Sequence, residues 1–171
     1  MNNLFLEGRP GVGKTTLLRN AANRLADFRI GGFYTSEIRE GGARVGFAIE
    51  TFPGVTGVLA HFSYREGPRV GKYTVDVNTF EKIGVRELER ALSDSDIILI
   101  DEIGRMELLS AEFRKVVVAC LDSNKPVTAT IMSRPDPFVD QLKDRSDCRL
   151  LKVTAKDREA LVERIVSWVK D

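Results

Sequence analysis

Leu4-Phe5-Leu6-Glu7-Gly8-Arg9-Pro10-Gly11-Val12-Gly13-Lys14-Thr15-Thr16 is the stretch whose reading decides the fold. An apolar strand runs into a Gly/Pro loop, and the loop opens a segment with helical periodicity. Gly8, Gly13, Lys14 and Thr15 fit G-x-x-x-x-G-K-[ST], the phosphate-binding loop. The spacing has a chemical reason. Gly8, Gly11 and Gly13 permit backbone conformations that a Cβ would forbid, so the chain can close on a polyphosphate. Its N–H groups then face inward as an anion nest, reinforced by the positive end of the following helix dipole. Lys14 is placed for the outer phosphates, and the Thr15 hydroxyl suits a Mg²⁺ ion bridging them. The expected nucleotide contacts here are Gly8, Arg9, Pro10, Gly11, Val12, Gly13, Lys14, Thr15 and Thr16.

The bulk properties narrow the class. A chain of 171 residues, 43% hydrophobic and 30% charged, suits one globular domain spanning residues 1–171. A formal net charge of +1 gives no strong field toward nucleic acid or an anionic membrane. No apolar run approaches the ~20 residues of a spanning helix, and the N-terminus lacks a secretory signal's basic start and cleavage site. A cytoplasmic monomer without membrane or nucleic-acid partners is expected. Cys120 and Cys148 lack C-x-x-C spacing and read as thiols. His61, the one histidine, has no companion for a zinc site.

Along the chain, Asn3 to Glu7 reads as the first strand and Lys14 to about Phe28 as a helix with Leu17, Leu18, Ala21, Ala22 and Leu25 inward. Gly31-Gly32 ends the connection. Phe33–Ile38 and Arg44–Thr51 flank Glu40-Gly41-Gly42-Ala43 as an antiparallel hairpin, with Val58–Phe62 and Tyr73–Val77 as further strands. Between those two, Arg65–Lys72 reads as a basic loop suited to lie over phosphates. Asn78-Thr79-Phe80-Glu81 has the form of an N-cap with a reciprocal glutamate, opening a helix to about Leu92. Ser110 caps a helix through Leu121, Val127–Ile131 and Arg149–Val153 are strands, and Thr154 with Asp157 opens a last amphipathic helix. Strands alternating with helices predict an α/β fold, a three-layer Rossmann-like sheet that is mostly parallel with an antiparallel insert. The ligand belongs at the carboxyl ends of the strands.

Ile97-Ile98-Leu99-Ile100-Asp101-Glu102 supplies the second motif. An acid ending a buried strand beside a phosphate loop can hold magnesium or its water ligands, which assigns Asp101 with Thr15 to the metal. Glu102, emerging beside the γ-phosphate, can accept a proton from an attacking water or orient it. Asp101-Glu102-Ile103-Gly104 also fits the γ-phosphate-sensing D-x-x-G, so Ile103 and Gly104 join the expected nucleotide contacts. Asn124-Lys125-Pro126-Val127 lacks the acid of a guanine-reading N-K-x-D, and dedicated GTP specificity has no support.

Four blocks, Gly-Arg-Pro-Gly-Val-Gly-Lys-Thr-Thr at 8–16, Gly-Gly-Phe-Tyr-Thr-Ser-Glu-Ile-Arg at 31–39, Arg-Val-Gly-Lys-Tyr-Thr-Val-Asp at 69–76 and Asp-Glu-Ile-Gly-Arg-Met-Glu-Leu at 101–108, resemble the thermophilic and cancer-related nucleoside-triphosphatase family. The likeness covers nearly the whole chain and thins after about Arg134. It implies a phosphate-loop NTPase fold, a nucleoside triphosphate substrate, Mg²⁺, broad base tolerance and a strand-end catalytic glutamate, here Glu102, acting with Lys14.

An arginine near the γ-phosphate would assist as charge moves to the leaving oxygen. Arg69 and Arg134 are the first candidates, then Arg65 and Arg105. Thr130 reads either as a γ-phosphate sensor or as an ordinary strand residue. A small kinase with a lid from Arg134, Lys143 and Arg145, and a nucleotide-gated binding module, are the rival readings.

Overall fold

The computed structural model describes residues 3–171. Its centre is a nine-stranded sheet in the order β5-β6-β4-β3-β2-β7-β8-β1-β9. The strands are β1 Asn3–Glu7, β2 Ile30–Glu40, β3 Ala43–Thr51, β4 Thr56–His61, β5 Arg69–Val70, β6 Tyr73–Val75, β7 Ile97–Ile103, β8 Val127–Ile131 and β9 Cys148–Lys152. The run β2-β7-β8-β1-β9 is parallel, and β2-β3, β3-β4, β4-β6 and β6-β5 are antiparallel. The helices are α1 Lys14–Arg24, α2 Val77–Phe80, α3 Arg86–Asp94, α4 Ala111–Asp122, α5 Pro137–Lys143 and α6 Arg158–Lys170. A π-helical turn, Glu81–Val85, joins α2 to α3.

The apolar run of β7 explains the layering. Ile98, Ile100 and Ile103 pack into one core with Phe33, Phe80 and Phe113, while Ile97 and Leu99 pack into a second with Leu17, Leu18 and Ile165. A strand buried on both faces needs helices on both sides, as parallel sheets require. Within the first core, Phe33 meets Phe80 edge-on at 5.6 Å, and Phe80 meets Phe113 at 5.2 Å. Contacts of this kind contribute about 0.5–1.5 kcal/mol beyond area burial, and these tie β2 to α2 and α4.

Several boundaries differ from the sequence reading. Gly31 and Gly32 lie inside β2 rather than ending a connection. A Cβ at Gly32 would stand 1.9 Å from the Leu99 carbonyl oxygen, and one at Gly31 would stand 2.4 Å from both Ala91 Cβ and Ser95 Oγ. The two glycines therefore let β2 close onto β7 and α3. With φ at +107°, Gly32 turns its N–H to Glu87 Oε1 of α3, at 3.0 Å. The basic segment 65–72 contains the short strand β5, which pairs with β6. α1 ends at Arg24, and the chain then turns with Leu25 still fully buried. The N-cap of α2 is Asp76, not Asn78, because its carboxylate accepts from both Thr79 N (2.9 Å) and Thr79 Oγ1 (2.7 Å). Glu81 instead accepts from Ser110 Oγ at 2.7 Å, while Ser110 caps α4 as expected. α6 starts at Arg158, after a turn in which Thr154 Oγ1 donates to Asp157 Oδ2 at 2.5 Å.

The packing at Gly32 generates a contrast. Gly32→Ala must displace the β7 backbone and should cost about 3 kcal/mol or more. Gly41→Ala sits at φ +55° in the β2–β3 turn with open space around it, and should cost only about 1 kcal/mol. Urea unfolding of the two variants checks the difference; equal losses would remove the role assigned to the β2–β7 approach.

Candidate active site

The carboxyl ends of β1, β8, β7 and β2 open on one cavity of about 790 Å³. Gly13, at φ +100°, precedes α1 with no side-chain cap, so the first-turn N–H groups remain available to an anion. Lys14 Nζ folds back over the loop and donates to the carbonyls of Gly8 (2.7 Å) and Arg9 (3.1 Å). Gly8, Pro10, Gly11, Gly13, Lys14, Thr15 and Thr16 line the cavity, and Arg9 and Val12 do not. Val12 packs against the core shared by α1 and α6.

Asp101 is 1% exposed and is held from three directions. Thr15 Oγ1 donates to its Oδ2 at 2.8 Å, Thr130 Oγ1 to its Oδ1 at 2.7 Å, and Thr35 N to Oδ2 at 3.2 Å. Burial raises the Asp101 pKa, and the donors oppose that rise without cancelling it. The hydroxyl–carboxylate pair of Thr15 and Asp101 offers hard oxygens to a divalent cation. Among the described residues no cluster of three His, Cys, Asp or Glu could hold an ion by itself. Magnesium is commonly bound by one or two carboxylates together with substrate phosphates. Thr130, read as a phosphate sensor or a plain strand residue, is fully buried and spends its hydroxyl on Asp101.

Glu102 follows Asp101 through a cis peptide bond and lines the cavity. Burial raises its pKa, the Asp101 carboxylate adds to the rise, and Lys14 opposes it. Glu107, quoted in the sequence block but given no role there, is 5% exposed and also lines the cavity. Burial, with Glu102 nearby, pushes its pKa well above the usual carboxylate range. A Cβ on Gly104 would fall 2.9 Å from Glu102 Oε1 and 3.1 Å from Glu107 Oε2. The missing side chain at Gly104 thus gives both carboxyl groups room. Ile103, grouped by sequence with the nucleotide contacts, belongs wholly to the core.

Of the four arginines singled out, Arg105 and Arg134 line the cavity, whereas Arg65 and Arg69 do not. Their segment sends in Val70 instead. His61 is tied to Ser63 Oγ at 2.7 Å and lies outside the cavity. Arg19 was missed. It lines the cavity with its guanidinium 4.6 Å from the Tyr34 ring centroid, a contact made across the α1–β2 interface that local sequence does not signal. No helix among the described residues is long and apolar enough to cross a membrane.

The chain is similar to known proteins in both sequence and fold. The model of the NTPase family matches residues 3–166. The nucleoside-triphosphatase THEP1 of Thermotoga sp. strain RQ2 is 48% identical over 167 residues, 98% of this chain and 95% of that one. The protein of the same name from Methanocaldococcus jannaschii is 40% identical, over 97% and 96% of the two chains. Two solved structures superpose over nearly the full length. THEP1 from Aquifex aeolicus gives a TM-score of 0.90, at 35% identity and 99% coverage of both chains. A human cancer-related nucleoside triphosphatase gives 0.84, also at 35% identity, with 99% and 98% coverage.

Glu107 makes stability depend on pH with a definite sign. Its folded-state pKa is raised, so between the ordinary carboxylate range and that higher value the folded chain holds a proton that the unfolded chain has lost. Stability therefore falls as pH rises through this window, by at most about 1.4 kcal/mol per pH unit for one proton. Asp101 and Glu102 act in the same direction, so Glu107→Gln should flatten the fall without abolishing it. Thermal midpoints of both proteins from about pH 4 to 8 measure this; parallel curves would place the titrating group elsewhere.

Proposed function

The chain belongs to the NTPase family, and from that premise we propose that it hydrolyses nucleoside 5′-triphosphates, ATP, GTP and others, to diphosphate and phosphate with Mg²⁺. The observation carrying the proposal is Asp101 fixed by Thr15, Thr35 and Thr130 beside the phosphate loop, with Glu102 next in the chain and open to the same cavity.

In this reading the loop amides and Lys14 bind the β- and γ-phosphates and stabilise the charge that builds up during in-line attack. Thr15 and Asp101 would hold the magnesium ion, which when bound neutralises phosphate charge. Glu102 orients the attacking water and accepts its proton. Its raised pKa makes it a stronger base than an ordinary glutamate. Arg134 and Arg105 remain the candidates to meet the leaving-group charge, since both line the cavity. A cation in that position contributes a factor of about 10³–10⁵.

A second reading draws on the far end of the cavity. Past Glu102 it continues over the antiparallel strands, where Phe47, Leu59 and Val70 form an apolar lining that water does not need. A phosphoryl acceptor with an apolar body would fit there and make the protein a kinase. A phosphorylated acceptor formed at the expense of free phosphate would establish that reading.

Phosphate release from ATP, GTP, CTP and UTP, with Mg²⁺ and no acceptor, tests hydrolysis. Glu102→Gln should lower kcat by about 10²–10⁴ while nucleotide binding survives, and Lys14→Ala should weaken binding and turnover together. Tight binding without release by the wild type would refute the hydrolase reading.

Loss of activity on acidification gives a further check. With the Glu102 pKa raised in the free protein, kcat/KM should begin to fall at a pH above the ordinary carboxylate range, and the residual activity of Glu102→Gln should lack that limb. A wild-type limb confined to the ordinary carboxylate range would remove Glu102 as the base.

A further inference from the structure

The strand order gives the bound triphosphate a direction. Thr15, Asp101 and Glu102 gather at β7, on one side of the phosphate loop, and β9 with α6 lies on the other. With the γ-phosphate at the β7 side, the α-phosphate and nucleoside must leave toward α6. A second cavity, of about 240 Å³, lies on that path, lined by Thr16, Asn20, Ala155, Lys156, Arg158 and Glu159 among others. Thr16 also lines the larger cavity, so the two meet at the residue after the metal-side threonine.

Arg158, the first residue of α6, lies directly over the loop. A Cβ on Gly13 would fall 2.7 Å from Arg158 Nη1 and 3.0 Å from its Cδ, so only a glycine at this position lets the guanidinium rest there. Arg158 Nε is 3.5 Å from the Ala155 carbonyl oxygen, which turns the side chain back along the β9–α6 connection. The helix that carries it is fastened to α1 by ion pairs from Arg24 to Glu159 (3.7 Å) and Glu163. No aromatic ring lines the small cavity, so the guanidinium is the planar surface it offers.

Resting on the NTPase reading, we propose that this second cavity is the nucleoside subsite, with the Arg158 guanidinium stacked on the base. A guanidinium face stacks on any base, because every base has a π-face. Arg158 is thus a binding residue that does not discriminate among bases, and it holds the nucleoside without touching the reacting phosphate.

The test is calorimetric binding, with Mg²⁺, of the hydrolysis-resistant β,γ-imido analogues of ATP, GTP, CTP and UTP, and of inorganic triphosphate in its imido form, which has the phosphates but no nucleoside. Arg158→Ala should raise Kd for all four nucleotides about ten-fold and leave inorganic triphosphate unchanged. Arg158→Lys, which keeps the charge but not the plane, should not rescue. Ala155→Leu, an aliphatic side chain that fills the cavity without offering a stacking face, should produce the same selective loss, and unchanged inorganic triphosphate binding shows that each variant is folded. Equal loss on inorganic triphosphate, or rescue by lysine, would make Arg158 a phosphate contact and overturn the subsite. Unchanged nucleotide binding in both Arg158→Ala and Ala155→Leu, or loss confined to one base, would overturn it as well. Binding is read without turnover, so failure of the hydrolase reading and failure of the subsite are separate results.

Discussion

Asp101 is a carboxylate buried at the carboxyl end of β7, and such a group is costly unless donors surround it. The donors come from Thr15 after β1, Thr35 in β2 and Thr130 in β8, segments far apart in the chain. Satisfying this one side chain therefore fixes the phosphate loop, the exit of β2 and the end of β8 relative to each other. The ion pair of Lys143 with Glu7, at 2.5 Å, and the Lys143 donation to the Met132 carbonyl at 2.9 Å brace the same ends from α5. A cavity is left where these ends meet.

The close approach of β2 to β7 serves that constraint. Thr35 reaches Asp101 only if β2 lies tight against β7, and Gly31 and Gly32 are what allow it. Glu87 of α3 then takes the Gly32 N–H, and Arg90 pairs with Glu87 at 2.8 Å, so the buried carboxylate is itself compensated. Beyond Thr35, β2 continues into the antiparallel part of the sheet, which walls the cavity on the side of Glu102. One strand both positions Asp101 and builds the enclosure in front of it.

Charge in the cavity is unevenly arranged. Glu102 and Glu107 share the space beside Gly104, with Asp101 close by, and burial pushes each toward its protonated form. The Lys14 charge opposes the rise at Glu102. The Lys14 ammonium therefore acts on a carboxylate of the cavity as well as on the loop carbonyls that it contacts. Charges in this space act on one another strongly because little water screens them.

The strand–loop–helix of residues 3–24, the buried apolar strand that ends in Asp101 and Glu102, the alternation of strands and helices and the Ser110 cap were all legible in the sequence, because each depends on residues within a few positions of one another. Backbone nests, apolar runs and caps are local physics. What lay beyond reach depends on which distant segments meet. Sequence could not show that Thr130 spends its hydroxyl on Asp101, that Glu107 turns into the cavity, or that Arg105 and Arg134 line it while Arg65 and Arg69 do not. Nor could it show that Gly31 and Gly32 permit a close strand contact rather than end a connection, or that Arg158 crosses from α6 to lie on Gly13. Burial and long-range hydrogen bonding decide those matters, and both exist only once the sheet has brought its strand ends together.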